Sequence, residues 1–222
     1  MTKTFIFDMD GTIVNNISFH QQAWLKFLKN NSIDLNPDEF HAVNKGTAEQ
    51  MIVQFFGQGL SPEKVKSLSR EKEALYRELY QDAVQELSGF TRLLEIAKSK
   101  NIKIGLATNS NIENLNFIID SLEVRPYFDM MVCGDEVAEG KPHPEIYQRI
   151  LSALKTDAAH CIAFEDSHGG VISAQKAGIP VIGVCTSHSR QEFKSWGVGR
   201  CIDHFEEYIN SLEEDISELR DL

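Results

Sequence analysis

Residues 3–12 read KTFIFDMDGT, and the fold turns on them. Residues 3–8 form an apolar strand that ends in a carboxylate, Asp8, and Met9-Asp10-Gly11-Thr12 then turns the chain. Helices, not a second strand, are expected next. Ile17, His20, Trp24, Phe27 and Leu28 recur at helical spacing over residues 17–30, Asn36-Pro37 signals a turn, and further helical segments run at about 37–44 and 47–56. Ser61-Pro62-Glu63 opens a long helix, with Ser61 as N-cap, Pro62 at the first position, and a stripe of Val65, Leu68, Lys72, Leu75 and Leu79.

From about residue 86 strands alternate with helices. IKIGLA (102–107), MMVC (130–133), CIAFE (161–165) and VIGVC (181–185) are near-continuous apolar runs, with helices expected from about 111, from Pro144 and from about 169. Such runs separated by helices indicate a parallel sheet covered on both faces. The expected fold class is α/β: a doubly wound parallel core over residues 1–15 and 85–222, with a small helical cap domain over residues 16–84 inserted after the first strand. Residues 206–222 read as an acidic helix with a solvated face.

A chain of 222 residues, 42% hydrophobic, suits one large core plus a smaller insertion. The net charge of −11 argues against a nucleic-acid binder or a general binder of anionic membranes. It does not exclude an anionic metabolite, because a metal and a few local cations dominate a single pocket. Cys133, Cys161, Cys185 and Cys201 contain no CxxC pair and read as structural thiols. With no signal peptide and no membrane-length apolar run visible, a cytoplasmic location is expected.

Ligands of such sheets bind beyond the carboxyl ends of the strands, so the polar residues there carry the functional reading. Asp8 and Asp10, at i and i+2 on leaving a strand, suit two tasks. One attacks phosphorus and binds a metal, and the other protonates a leaving group and later deprotonates water. Gly11 permits the tight turn. Thr108-Asn109-Ser110 follows the strand at 102–107 and offers a hydroxyl and backbone N–H groups suited to phosphate, or to ordinary helix capping. Lys141, between Gly140 and Pro142 in a loop with two prolines, suits the offsetting of charge on nucleophile and phosphate. Glu165 and Asp166 end an apolar strand, where adjacent acids are costly unless paired or metal-bound. A hard cation such as Mg²⁺ would find oxygen ligands in Asp8, the carbonyl of Asp10, and Asp166, with or without Glu165.

The order FDMDGT, TNS, GKPHP, FEDS, continued by GGVISAQKAGIPVIGV, resembles the haloacid dehalogenase superfamily, in particular its capped phosphatases and β-phosphoglucomutases. The resemblance implies a Rossmann-like core with a helical cap and a phospho-aspartyl intermediate on Asp8. It also implies Asp10 as general acid and base, Thr108 and Lys141 on the transferring phosphoryl group, and Glu165 and Asp166 on Mg²⁺. Dehalogenases of the superfamily lack the second aspartate, so Asp10 favours phosphoryl transfer. In the cap, the resemblance raises substrate roles for His20, within FHQQAW, for Lys72, and for Gly46 of Lys45-Gly46, the start of a specificity loop. Packed-histidine and snorkelling-lysine readings stand beside the first two. Two departures matter. Glu49 stands where the mutases hold a second phosphate with arginine, and Asn15-Asn16 replaces an acid followed by Ser or Thr, with Asn16 still able to bond a substrate.

The expected function is thus a Mg²⁺-dependent phosphatase of a small phosphorylated metabolite, acting as a monomer or weak homodimer. A phosphosugar mutase is the alternative. A non-enzymatic binding protein would show a lost catalytic group, and none is lost.

Overall fold

The computed structural model describes residues 4–43 and 47–212. In chain order the elements are β1 (Thr4–Phe7), α1 (Ile17–Asn30), α2 (Pro37–Val43), α3 (Ala48–Phe56), α4 (Pro62–Tyr80), α5 (Phe90–Ser99), β2 (Lys103–Ala107) and α6 (Ile112–Ser121). They continue with β3 (Met130–Val132), α7 (Glu145–Leu154), β4 (Cys161–Glu165), α8 (His168–Lys176), β5 (Val181–Val184), α9 (Arg190–Ser195), β6 (Arg200–Ile202) and α10 (Phe205–Ile209). The chain divides into two compact units, Met1–Asn15 with Val84–Leu222, and Asn16–Ala83.

The first unit holds one parallel sheet of order β3-β2-β1-β4-β5-β6. The strand alternation of side chains sorts its core into two layers. Phe5 and Phe7 of β1 point to one face, where Phe90 of α5, Phe164 of β4, and Phe205 and Tyr208 of α10 close an aromatic cluster with ring centroids 4.8–6.3 Å apart. Ile6 points to the other face, into a cluster with Ile146, Tyr147 and Ile150 of α7, Cys161 and Ala163 of β4, and Ala174 of α8. Both faces of β1 are buried, which is why its run carries no polar alternation. At about 1.5–3 kcal/mol for each fully buried large apolar side chain, these layers dominate the stability of the unit.

One element is added to the expectation in this unit and one reading is corrected. β6 was unforeseen: it is a three-residue strand on β5, too short to show a period. The C-terminal helix is not a merely solvated face in its described part, because Phe205, Tyr208 and Leu212 are buried; its residues beyond 212 lie outside the described residues. All four cysteines are free thiols.

Among the described residues the second unit is four helices around Trp24, Phe27, Leu28, Phe40, Met51, Ile52, Val65 and Leu68. α3 is opened by a Thr47–Gln50 capping box, with Glu49 in its first turn, where a carboxylate meets the positive end of the helix. α4 begins at Pro62 with Ser61 accepting from Lys64 N. Its buried face is Val65, Leu68, Lys72, Glu73, Tyr76 and Tyr80, so the expected Leu75 and Leu79 stand beside the stripe, half-buried. Helical spacing admits either i+3 or i+4 after Lys72, and the bulkier tyrosines take the inner track. Ile17, also expected on a buried stripe, is 42% exposed. Among the described residues no helix is long and apolar enough to cross a membrane.

Candidate active site

The strand order reverses between β1 and β4, and the crevice beyond their carboxyl ends is where a ligand site is expected in such a sheet. Asp8 directly follows β1 and is tied to β4 by a 3.0 Å bond from its N–H to the carbonyl of Phe164. The alternation that buries Cys161 and Ala163 on the α7/α8 side places Glu165 on that same side. Asp166 comes next. One oxygen from each of Asp8, Glu165 and Asp166 lies within 4.8 Å of the others, and all three residues are buried.

Three buried acids this close need a cation, and Lys141 supplies one. Its ammonium donates to Asp8 Oδ1 at 2.6 Å, to Ala107 O at 2.7 Å and to Glu165 Oε1 at 2.6 Å. An ammonium has three N–H bonds, so these acceptors use them all. Burial opposes the charge on Lys141, but Asp8 and Glu165 outweigh it and raise its pKa, so it stays protonated. Burial likewise pushes the Asp8 carboxyl up, against the pull of Lys141, while Glu165 and Asp166 add to the push. One ammonium does not neutralise three carboxylates, and the site is short of positive charge.

A hard divalent cation fits that deficit. All the side-chain donors are carboxylate oxygens, the ligand type that Mg²⁺ takes. Glu165 Oε2 is buried with no hydrogen-bond partner among the described residues, which is costly unless a cation or water completes it. Asp166 is steered by Ser187, whose hydroxyl donates to Oδ2 at 2.6 Å. Gly11, at φ +81°, lies so close that a Cβ there would overlap the Asp166 carboxylate, and Thr186 donates to the Gly11 carbonyl. Glycine at 11 is therefore set by both its left-handed backbone and the close approach of an acid.

The turn after β2 differs in detail from the expectation. The hydroxyl of Ser110, a residue expected on phosphate, donates to Asp10 Oδ2 at 2.6 Å and so orients the second aspartate. The side chain of Asn109, also expected on phosphate, grips the Lys141 peptide, accepting from N at 2.8 Å and donating to O at 3.1 Å. Thr108 accepts from Ser110 N at 3.0 Å, which leaves its hydroxyl proton for another acceptor.

Three of the expected substrate residues come together inside the helical unit. Asn16 is buried and donates to Tyr76 Oη at 2.6 Å. The His20 ring stacks on Tyr76 with centroids 3.7 Å apart, and its Nδ1 is 3.3 Å from Lys72 Nζ. Lys72, only 2% exposed, pairs with Glu73 at 2.6 Å and lies over the Trp24 ring. Lys72 therefore neither snorkels nor stands as an uncompensated cation. Lys45 and Gly46 lie outside the described residues.

The acids give a testable pH dependence. Burial foremost raises the Asp166 carboxyl to about 7, with Ser187 opposing and Glu165 adding. Unfolded, the same group titrates near about 4. Between these values the folded state binds more protons than the unfolded one, so stability falls as pH rises through the window. Metal-free protein is expected to lose thermal stability from about pH 4 to about pH 7, and added Mg²⁺ to restore most at the upper end. Calorimetric scans at stepped pH, with and without Mg²⁺, measure this. A melting temperature indifferent to Mg²⁺ at neutral pH would contradict it.

Residues 5–184 match the haloacid dehalogenase-like hydrolase family. The chain is 32% identical over 180 residues to the phosphorylated carbohydrates phosphatase of Thermotoga maritima, covering 80% of this chain and 82% of the relative. It is 30% identical over 190 residues to the β-phosphoglucomutase of Bacillus subtilis, covering 82% and 83%. A crystal structure of a family IA, variant 3 hydrolase from Entamoeba histolytica superposes with a TM-score of 0.89 at 29% identity, covering 99% of this chain and 100% of that one. The chain belongs to the haloacid dehalogenase-like hydrolases, in their β-phosphoglucomutase-like group.

Proposed function

We propose that this chain is a Mg²⁺-dependent phosphatase of small phosphomonoesters, sugar phosphates foremost, working through an aspartyl phosphate on Asp8. The observation that carries it is the buried triad of Asp8, Glu165 and Asp166, the first two held on Lys141 and the third by Ser187, with a second aspartate, Asp10, oriented by Ser110. The named activity of the Thermotoga relative supports the substrate class.

Asp8 attacks phosphorus through a carboxylate oxygen, forming an O–P bond as the ester P–O bond breaks. Asp10 gives its proton to the departing alkoxide. It then takes a proton from water, whose oxygen attacks the aspartyl phosphate, releasing inorganic phosphate and the free Asp8 carboxylate. Mg²⁺, held by Asp8, Asp166, Glu165 and the Asp10 carbonyl, would supply charge neutralisation on the phosphoryl oxygens. Lys141 favours the ionised form of the nucleophile against its burial and aims it, and the Thr108 proton suits a phosphoryl oxygen. The Asn16–Ala83 unit is proposed as the cap that selects the substrate. The setting proposed is the reducing cytoplasm, as a monomer or weak homodimer.

Mutase activity is the second reading, favoured by the Bacillus relative and by FHQQAW. Two residues oppose it. Glu49 would repel a second phosphate, and Glu73 already neutralises Lys72. A screen of phosphorylated metabolites with Mg²⁺, counting free phosphate and isomerised sugar phosphate separately, decides. Free phosphate without isomerisation is expected. Efficient conversion of β-glucose 1-phosphate to glucose 6-phosphate with a bisphosphate primer would replace the phosphatase reading.

A further inference from the structure

One acceptor in the site takes two donors. Glu165 Oε1 is reached by Lys141 Nζ at 2.6 Å and by Tyr147 Oη at 2.5 Å. The two donors differ in what holds them. Lys141 is shared with Asp8 Oδ1 and Ala107 O, so its position is tied to the nucleophile. Tyr147 belongs to the apolar stripe of α7, with Ile146, Ile150 and Leu154, and is fully buried in the core on the Ile6 side of the sheet. Its ring cannot swing without opening that core, so the phenol is a fixed point against which the carboxylate is set. The same ring lies 5.4 Å from Lys141 Nζ, close enough for its face to attract the ammonium.

Two donors on one oxygen fix the plane of the carboxylate and decide where the other oxygen points. That oxygen, Oε2, is buried and has no hydrogen-bond partner among the described residues. It is also confined. It sits against Gly170 of α8, where a Cβ would overlap it, so glycine at that position makes room for the acid. A tyrosine in a helix stripe usually finds some partner for its hydroxyl. Here the partner is one oxygen of a member of the acidic triad, and the other oxygen of that carboxylate is the one that lacks a partner.

We propose that Tyr147 is a positioning residue for the cation site: its hydroxyl holds Glu165 Oε1 with Lys141, so that Oε2, with oxygens of Asp8 and Asp166, serves a hard divalent cation. The role rests on the Mg²⁺-dependent reading above and extends it to a residue outside the motifs. Residues that orient metal-binding carboxylates act through the ligand and not on the substrate. Tyr147 therefore governs metal affinity and turnover more than substrate affinity.

Tyr147→Phe keeps the ring and removes only the donor. In calorimetric titration of metal-free enzyme with Mg²⁺, the variant is expected to bind about tenfold more weakly or worse. At saturating Mg²⁺, kcat for p-nitrophenyl phosphate falls while KM stays within about twofold, the pattern of an effect exerted away from substrate. In a Glu165→Gln background the same change leaves Mg²⁺ affinity unaltered, because its route runs through that carboxylate. A Tyr147→Phe enzyme with wild-type Mg²⁺ affinity overturns the proposal, as does equal weakening in both backgrounds. Wild-type enzyme that binds no Mg²⁺ overturns it together with the phosphatase mechanism, whereas normal wild-type binding with an indifferent variant overturns it alone. Should Tyr147→Phe not fold, Mg²⁺ titration of wild-type protein is followed by tyrosine difference absorbance. A perturbation lost in Glu165→Gln supports the role, and no perturbation overturns it.

Discussion

Asp8→Asn is expected to abolish Mg²⁺-dependent hydrolysis of p-nitrophenyl phosphate, by on the order of 10⁴-fold or more in kcat, while leaving the protein at least as stable as wild type. The first half follows from the nucleophile: an amide has no anionic oxygen to attack phosphorus. The second half follows from the charge count of the site. Asp8, Glu165 and Asp166 share one ammonium, and burial raises the carboxyls of Asp8 and Asp166. Replacing one buried carboxylate with a neutral group of the same shape relieves that repulsion, and Asn Oδ1 still accepts from Lys141 Nζ. Inactive yet stable is thus the expected signature, read by phosphate release and by melting in the absence of metal. Activity above about one per cent of wild type would remove Asp8 from the role of nucleophile, since single losses of this kind leave far less.

That charge count was only partly legible in the sequence. The strand ends announced themselves because parallel strands buried on both faces read as unbroken apolar runs, and an acid that closes such a run stands out. Asp8, Glu165 and Asp166 were found in this way and Lys141 by its proline-restricted loop, and the structure gathers them within hydrogen-bond or ligand distance. Which atom faces which was not legible. Asn109 and Ser110 looked like phosphate donors because their local context is a turn before a helix. Their side chains bond Lys141 and Asp10, which are 32 and 100 residues away in the chain. Tyr147 and Ser187, which set Glu165 at the end of β4 and Asp166 just after it, carry no motif; Tyr147 reads as one more member of an amphipathic stripe. A signal was nonetheless present, since a tyrosine in an otherwise aliphatic stripe calls for a partner at its hydroxyl. The stripe of α4 was misread for a related reason. Period alone does not choose between Leu75 and Tyr76, whereas Tyr76 meets Asn16 and His20 and is therefore drawn inward. In the helical unit, Glu73 changes the meaning of Lys72, and the pairing of adjacent residues on one buried face is invisible until the face is known.

Lys141→Met is expected to cost both stability and activity, and only the loss of stability should be partly recovered by added metal. Methionine retains most of the buried stem but removes the only ammonium bonded to Asp8 and Glu165 among the described residues. Breaking a buried ion pair by removing one partner costs about 3–5 kcal/mol, because the remaining charge is left uncompensated. Here two carboxylates lose the ammonium at once, although Tyr147 still donates to Glu165. The carboxylates can escape by taking up protons, so the deficit shrinks as pH falls and grows as pH rises. Mg²⁺ replaces part of the missing charge, and the variant is therefore expected to gain more thermal stability from the ion than wild type does. Catalysis is not recovered in the same way. Lys141 holds Asp8 Oδ1 at a fixed point beside Ala107 O, and a preorganised charge of this kind is worth on the order of 10²–10³ in kcat. Denaturant melts at several pH values, with and without Mg²⁺, and phosphate-release rates at saturating Mg²⁺ separate the two effects. Full activity once Mg²⁺ has restored stability would reduce Lys141 to a structural counter-ion and leave orientation of Asp8 to the metal alone.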